Sequence, residues 1–328
     1  MKRQALTVLP VFLLLSASLC GAAGLDKYFP QDSGKDAASK RVPAAAATES
    51  KDTAKIRNYE DDMDRAGLIK AYKLNLDYVS RLKDSAKMQV GPATVTAGLM
   101  KATLQHLITL FESDKTIAEI SAIINTNYRT YSSGKKGHIT GYYDADYQVS
   151  KTKHDDFSQP VLSDKKKDGK FVPLAYISAK DLGLLKIEGS GILIYEDGTS
   201  TRVAVASTSP FRFKELGENG ASSAMQTPLI EGRSVAVDRR YIPLGAPVYL
   251  SSTKPVLDDN GNFTGLVPFG RFVAAQDTGG AIKGPARIDL FFGSGKKNVA
   301  AGKRMKTSGE VVLLTLKPEA YAALQSGK

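Results

Sequence analysis

The stretch "AAQDTGGAIKGPARIDLFFGSG", residues 274–295, places Asp277 and Asp289 on either side of a glycine-rich turn. Large apolar side chains flank Asp289 on both sides. A carboxyl group in apolar surroundings has its charged form disfavoured, so its pKa rises. A carboxylic acid that keeps its proton near neutral pH can serve as a general acid. The stretch therefore predicts two strands joined by a turn, with Asp289 as a candidate acid.

Both aspartates also have an ordinary structural interpretation. Asp277 ends an apolar run and enters a turn, where an aspartate often accepts hydrogen bonds from backbone amides. Asp289 would, on composition alone, be a strand carboxylate that faces solvent. Because side chains alternate across a strand, Asp289 is expected to share its face with Phe291, the predicted wall of a pocket.

The region around this stretch is predicted to be mainly β. After residue 137 the chain consists of short runs rich in Val, Ile, Tyr, Phe and Thr, separated by Gly, Pro and Asp-Gly. Most runs are too apolar for half-exposed hairpins, and a closed barrel would bury both ends of such a set of strands. The predicted strands lie within residues 138–149, 191–197, 233–240, 246–250, 271–277, 287–292 and 310–316.

Upstream of the strands, apolar residues recur with helical spacing. Ile69, Tyr72, Leu76 and Val79 share one face of a predicted helix within residues 63–82. A second helix is expected to begin near Thr96 as N-cap, and a third is predicted to carry Ile117, Ile120 and Ile124. Residues 24–57, rich in Ala, Ser, Lys and Asp without an apolar period, are predicted to be a solvated linker.

The first 23 residues have the layout of a secretory signal. Lys2 and Arg3 precede an apolar run of about 15 residues, too short to span a membrane, and small residues follow. Cys20 is the only cysteine and lies near the expected cleavage site, which favours a lipid anchor. The bulky Leu19 before it instead favours ordinary cleavage after Ala22 or Ala23. Both forms remain open, and both predict export.

The composition narrows the function classes. The formal charge of +11 favours an anionic partner, and export makes a cell-wall polymer or a membrane surface the expected one rather than nucleic acid. Solubility alone is the other explanation of the charge. The three histidines do not have ligand spacing to one another or to the cysteine, so neither a metal nor a cofactor is expected. A G-x-S-x-G elbow and a complete phosphate loop are both missing from the sequence.

Several segments together resemble a known family. Residues 232–250, 273–295 and 302–314 resemble the C-terminal part of the membrane-bound lytic murein transglycosylase A family, which carries a 3D (three-Asp) domain. Residues 140–162 resemble its opening barrel segment, and "IEGSGILIYEDG" at 187–198 resembles its Gly-Ser-Gly strand. The resemblance covers roughly residues 60–318 but departs from the family in the middle, where the insert is short.

The resemblance implies a double-psi β-barrel with a reduced second β domain inserted. The expected boundaries are a helical segment at 58–130, the first part of the barrel at 131–165, the insert at 166–212 and a 3D-type barrel at 213–328 that carries the catalytic aspartate. The expected location is the periplasm, either soluble or attached to the outer membrane by an N-terminal lipid. Peptidoglycan strands are the expected partner, beside proteins of cell-wall remodelling.

The same resemblance implies an activity and a site. The enzymes of this family cleave the β-1,4 bond between N-acetylmuramic acid and N-acetylglucosamine and form a 1,6-anhydro sugar. Asp289 matches the single acid/base, and Asp277 matches an aspartate that hydrogen-bonds in the cleft. Arg239, Lys283 and Arg287 are candidates to meet substrate carboxylates. The predicted substrate-binding residues are Thr140, Gly141, Tyr142, Tyr143, Gly189, Ser190, Arg239, Thr278, Gly279, Gly280, Ala281 and Lys283.

Two rival functions remain open at this point. Barrels of this type also occur in inverting glycoside hydrolases, in which Asp277 would be the base and Asp289 the acid. A non-catalytic module that binds peptidoglycan or another polysaccharide is the second rival, and the short insert would mark its lost activity.

Overall fold

The computed structural model describes residues 57–216 and 223–326. The predicted signal, Cys20 and all of the predicted linker except Arg57 lie outside these residues. Arg57 itself packs against the folded part: its backbone N–H donates to Asn125 at 3.0 Å, and its guanidinium pairs with Glu310. Within the described residues, no helix has the length and apolar character needed to cross a membrane.

Helices and strands are numbered separately in chain order. The helices are α1 Arg65–Ser80, α2 Ala97–Glu112, α3 Ile117–Asn127, α4 Ala179–Glu188, α5 Lys296–Arg304 and α6 Pro318–Gln325. The strands are β1 Lys87–Val90, β2 Ala93–Thr96, β3 Tyr128–Ser132, β4 Gly137–Tyr142, β5 Asp146–Val149, β6 Gln159–Lys167, β7 Lys170–Ile177, β8 Ser190–Tyr195, β9 Ser200–Thr208, β10 Phe211–Leu216, β11 Ser234–Ala236, β12 Pro247–Leu257, β13 Phe263–Asp277, β14 Arg287–Phe291 and β15 Lys306–Leu316.

The three predicted N-terminal helices are confirmed as α1, α2 and α3. Thr96 is the N-cap of α2, as expected, and its side chain accepts from the N–H of Leu99. Thr116 and Glu119 form a capping box at the start of α3. The hairpin of β1 and β2 was not predicted, because it is short and turns at Gly91 with a left-handed φ of 57°. The helices pack on the barrel through a shared apolar core.

Six strands close into a barrel. They follow the order β12, β13, β11, β14, β4 and β15, and a further pairing of β12 with β15 closes the ring. Strand β3 extends the ring by pairing with β15. Most pairs are antiparallel, but β11 with β13 and β14 with β4 are parallel. Closure of the ring buries one face of each strand, and the packed helices share the apolar core of the barrel. Parts of β12, β13 and β15 are therefore buried continuously, whereas β14 keeps a partly exposed face.

A second sheet of six strands, with the order β5, β8, β9, β10, β6 and β7, forms the insert. It has its own apolar core, to which α4 contributes Leu182 and Leu185. The strands of this sheet lie within residues 146–216, so the expected insert at 166–212 is wrong at both ends. The expected single strand over 138–149 is also wrong, because β4 and β5 belong to different sheets. The chain leaves the barrel at Asp144, whose N–H donates to Gly293 O and whose carboxylate pairs with Arg202. Local periodicity does not tell which sheet a strand joins.

Candidate active site

The barrel aligns the two aspartates in one row across its strands. Asp277 on β13 pairs with Ala236 on β11, and Ala236 also pairs with Asp289 on β14. Asp289 pairs in turn with Thr140 on β4, which pairs with Lys306 on β15. Directly paired residues project to the same face of a sheet. The row therefore exposes two carboxyl groups on one face, separated by the small side chain of Ala236.

The alternation of β14 sets the surroundings of Asp289. Ile288 and Leu290 are buried in the barrel, whereas Asp289 on the opposite face is only partly buried. Phe291 follows two residues later on β14 and is buried, and its ring centroid lies 5.2 Å from that of Tyr142. Asp289 thus lies partly exposed on the face of β14 opposite Ile288 and Leu290.

Asp289 accepts the last of two hydrogen bonds that run in series from Arg287 through Thr140. The hydroxyl of Thr140 donates to Asp289 Oδ1 at 2.5 Å, and Nη1 of Arg287 donates to Thr140 Oγ1 at 2.8 Å. Burial raises the pKa of Asp289 above its ordinary value, and the Thr140 hydroxyl, Arg287 and His138 work against that rise. The net shift keeps the proton on Asp289 to a higher pH than for a solvated aspartate.

Asp277 is held by donors on both carboxylate oxygens. The N–H of Ala224 donates to Oδ1 at 2.8 Å, and the hydroxyl of Tyr142 donates to Oδ2 at 3.3 Å. Burial raises the pKa of Asp277, while the backbone N–H groups of Thr278 and Ala224 favour the ionised form. Burial also raises the pKa of the Tyr142 phenol well above its ordinary value, so Tyr142 remains a donor. Sequence reasoning expected the turn amide but missed Ala224, which lies 53 residues away.

A third aspartate, which the sequence reasoning did not single out, positions the turn between the other two. Asp238 follows β11 and is 5% exposed. Its Oδ2 accepts from the N–H of Gly284 at 2.8 Å, and its carboxylate pairs with Arg240. The signal that points to Asp238 is an aspartate directly after the apolar run "SVAV", the same pattern that marks Asp277.

The other predicted site residues fall into separate surroundings. Gly141 permits close packing, since a Cβ there would lie 2.7 Å from Phe292 Cε2 and 2.9 Å from Gly302 O. Tyr143 lies against α5, with Lys303 Nζ 5.6 Å from its ring centroid. Gly189 is the C-cap of α4, and Ser190 begins β8 in the second sheet.

The predicted residues of the turn are mostly open to solvent. Thr278 and Gly279 are partly buried, and the N–H of Ile282 donates to Gly279 O at 3.0 Å. Among the described residues, no group of three or more His, Cys, Asp or Glu side chains is placed to hold a metal ion. The predicted site residues that are exposed are Gly280, Ala281 and Lys283 in the turn, and Arg239 outside it.

The sequence matches one domain family. The 3D domain family matches residues 233–315, a range that contains Asp238, Asp277 and Asp289. Comparison with curated protein sequences finds no match.

Solved structures extend the likeness beyond this domain. A membrane-bound lytic murein transglycosylase from Agrobacterium tumefaciens has a TM-score of 0.56 at 21% identity, over 80% of this chain and 95% of that chain. The lytic transglycosylase LtgG of Burkholderia pseudomallei has a TM-score of 0.53 at 21% identity, over 78% and 91%. MltA of E. coli with bound chitohexaose has a TM-score of 0.57 at 17% identity, over 80% and 94%.

These likenesses confirm the fold that the sequence predicted, a mainly β protein with a double-psi barrel. They cover about four fifths of the chain, far more than the 3D domain match at residues 233–315. The chain therefore contains a 3D domain in its C-terminal part and has the fold of the lytic murein transglycosylase A structures.

Proposed function

We propose that this protein is a lytic transglycosylase that cleaves peptidoglycan strands between N-acetylmuramic acid and N-acetylglucosamine. One observation carries the proposal: Asp289 presents a carboxyl group with a raised pKa on an accessible face of the barrel, with a hydroxyl donor on only one of its oxygens. Oδ2 is then the oxygen from which a proton can reach a glycosidic oxygen. The carbohydrate bound to the E. coli structure of this fold, chitohexaose, supports a glycan substrate.

The proposed reaction needs one acid/base group. Protonated Asp289 gives its proton to the bridging oxygen as the bond from that oxygen to C1 of the muramyl residue breaks. The C6 hydroxyl of the same residue then attacks C1, and the Asp289 carboxylate takes up the hydroxyl proton. The product is a 1,6-anhydro sugar, and Asp289 returns to its protonated form. The nucleophile is intramolecular, so its high effective molarity replaces an activated water.

Asp277 serves a different role in this proposal. Both of its oxygens accept hydrogen bonds from the protein, from Ala224 and Thr278 amides and from Tyr142, which leaves it poorly suited to activate a water. It stands two strands from Asp289 in the row, roughly 10 Å between Cα atoms at two strand spacings. Its negative charge stabilises the oxocarbenium-like transition state. This arrangement favours the transglycosylase over an inverting hydrolase.

The substrate also fits the charge and the expected compartment. The chain is basic, and peptidoglycan carries carboxylates on its lactyl groups and stem peptides. A location in the periplasm, with or without an N-terminal lipid, belongs to this proposal, and the Agrobacterium structure of this fold is described as membrane-bound.

Product analysis tests the proposal. Purified sacculi are digested with the protein, and the soluble fragments are separated and identified by mass spectrometry. We expect 1,6-anhydro ends with the wild type and none with Asp289→Asn, while the exposed Asp164→Asn serves as a matched control with wild-type yield. Reducing ends in place of anhydro ends would establish the hydrolase. Binding to sacculi without release of fragments would establish the binding module.

A further inference from the structure

Arg287 differs from the other cations that the sequence placed near the substrate. Its Nη1 donates to Thr140 Oγ1 at 2.8 Å and to the carbonyl oxygen of Ile288 at 2.8 Å, with a longer contact of 3.3 Å to the carbonyl of His138. The two short bonds use both hydrogens of Nη1. The nitrogen is therefore fixed between β14 and β4 and directed at Thr140 rather than at a ligand.

This contact favours one direction of the hydrogen bond between Thr140 and Asp289. A threonine hydroxyl has one hydrogen and two acceptor sites, and an arginine in a protein is always protonated and only donates. Arg287 occupies one of these two acceptor sites, and Asp289 Oδ1 is the acceptor that the described contacts provide for the hydroxyl hydrogen. Bonds arranged donor to acceptor in series also polarise and strengthen one another.

The alternative arrangement would disable the acid. If the Thr140 hydroxyl were free to rotate, protonated Asp289 could instead donate its own hydrogen from Oδ1 to Thr140, and that proton would then point into the protein. With Oδ1 already accepting from Thr140, the proton of the neutral acid resides on Oδ2, the oxygen without a protein donor in the described contacts of Asp289.

We propose that Arg287 is a positioning residue that acts through Thr140 to keep the transferable proton of Asp289 on Oδ2, facing the substrate. This inference rests on the proposed function for its effect on turnover. The bond arrangement itself is a property of the free protein, so it is open to a measurement that needs no substrate.

The charged and titratable groups near Asp289 influence how its protonation, and so the rate of turnover, depends on pH. They come from Arg287 on its own strand, His138 and Tyr142 on β4, and Asp277 on β13. Lys306 on β15 lies one strand beyond β4, in register with Thr140. The positive charge of Arg287 lowers the pKa of Asp289. Loss of that charge therefore raises this pKa and moves the high-pH decline of kcat/KM, where the acid loses its proton, to higher pH.

A double-mutant cycle on sacculi tests the positioning role. Arg287→Met is expected to lower kcat by about tenfold or more with KM within about twofold, because general acid catalysis contributes about 10²–10⁴-fold. Arg287→Lys, which keeps the charge and a donor, recovers part of the loss. In a Thr140→Val background, Arg287→Met changes kcat by less than about twofold, since the hydroxyl that it orients is gone. Arg129→Met, an exposed arginine on β3, is the matched control.

Two outcomes of the cycle would overturn the proposal. An equal loss of kcat in both backgrounds would assign Arg287 a packing role that does not pass through Thr140. A shift of the high-pH decline with an unchanged plateau of kcat would assign it a purely electrostatic role. Arg287→Lys keeps the test decisive if Arg287→Met does not fold.

A titration of the carboxyl carbon of Asp289 by ¹³C NMR separates this proposal from the proposed function. Arg287→Met is expected to raise the pKa of Asp289 more in the wild-type background than in Thr140→Val, because only the former loses both the charge and an oriented hydrogen bond. An equal rise of this pKa in both backgrounds contradicts the positioning role of Arg287 through Thr140. If the wild type releases no anhydro sugar but the pKa of Asp289 rises unequally in the two backgrounds, the proposed activity is refuted and the positioning role of Arg287 is supported.

Discussion

At the scale of single residues, the two aspartates of one row are distinguished by their hydrogen bonds rather than by their burial. Burial raises the pKa of both Asp277 and Asp289. The carboxylate of Asp277 is anchored on both oxygens, whereas Asp289 receives one side-chain donor from Thr140. An anchored carboxylate is a fixed charge, and an open one is a proton carrier.

This difference predicts unequal effects of the same isosteric change. Asp289→Asn is expected to lower kcat by about 10³-fold or more, since an amide cannot donate the acid proton. Asp277→Asn is expected to lower kcat by about tenfold, because Oδ1 still accepts from Ala224 and the amide can still pair with Tyr142. Initial rates of sacculus digestion measure both. Equal and mild losses would show that the roles are misassigned.

The raised pKa of Asp277 also predicts an effect on stability. Because the folded state holds this proton more tightly than the unfolded state, the wild type loses stability as pH rises from the ordinary carboxyl range through the raised pKa. Asp277→Asn removes that loss. We expect its free energy of unfolding at pH 7 to exceed that of the wild type by roughly 0.5–2 kcal/mol. Denaturant unfolding at pH 7 and at pH 3.5 measures the change, and a gain that persists at pH 3.5 would contradict this cause.

At the scale of elements, close contact between β4 and α5 holds the strand that carries Thr140 and Tyr142. Gly141→Ala would place a Cβ 2.7 Å from the Phe292 ring and 2.9 Å from the backbone oxygen of Gly302. We expect a destabilisation of about 1–3 kcal/mol from this overpacking, with a loss of activity as β4 shifts. Gly183→Ala in α4, where a Cβ meets open space, is the control and should be neutral or stabilising by up to about 1 kcal/mol. Thermal unfolding compares the two variants.

The turn between β13 and β14 depends on an aspartate outside it. Asp238→Ala leaves the N–H of Gly284 without its acceptor, and we expect a cost of about 1–3 kcal/mol and a lower kcat. Hydrogen exchange should speed up in residues 278–286. Asp238→Asn retains an acceptor oxygen and should lose less. Unchanged exchange in this segment with Asp238→Ala would show that other contacts hold the turn.

At the scale of the whole molecule, buried ion pairs fasten the segment before α1 to the barrel. Arg233 is fully buried and makes two bonds to the Asp61 carboxylate at 2.7 and 2.8 Å. Asp62 is bound by Arg271 and Lys254. Burial acts to raise the pKa of Asp62, but the hydrogen bonds and charges of Arg271 and Lys254 outweigh it, so the pKa is lower than usual. The N-terminal segment is thus part of the folded unit.

Removal of the buried arginine tests this attachment. Arg233→Met leaves the Asp61 carboxylate buried without its partner, and we expect it to lower the free energy of unfolding by about 3–5 kcal/mol. Lys73→Met breaks the exposed pair with Glu112 and should cost about 1 kcal/mol or less. Denaturant unfolding of both variants provides the comparison. Similar small costs for the two would mean that the barrel does not depend on the segment.

The sequence by itself determined the local elements and one member of the site. Helical spacing predicted α1 to α3 because the apolar face of a packed helix repeats every turn. Apolar neighbours marked Asp289 because the strand that carries it is buried on its other face. The family resemblance, which rests on contiguous motifs, supplied the double-psi barrel that the fold then confirmed.

Only the tertiary structure decided which residues meet. Thr140 and Asp289 are 149 residues apart, and Ala224 is 53 residues from Asp277, so their contacts follow from strand register and ring closure. The tertiary structure also placed β4 in the barrel and β5 in the second sheet, and it brought Arg287 into contact with Thr140. Local propensity carries no information on register between distant strands, because register is set by the packing of the whole barrel.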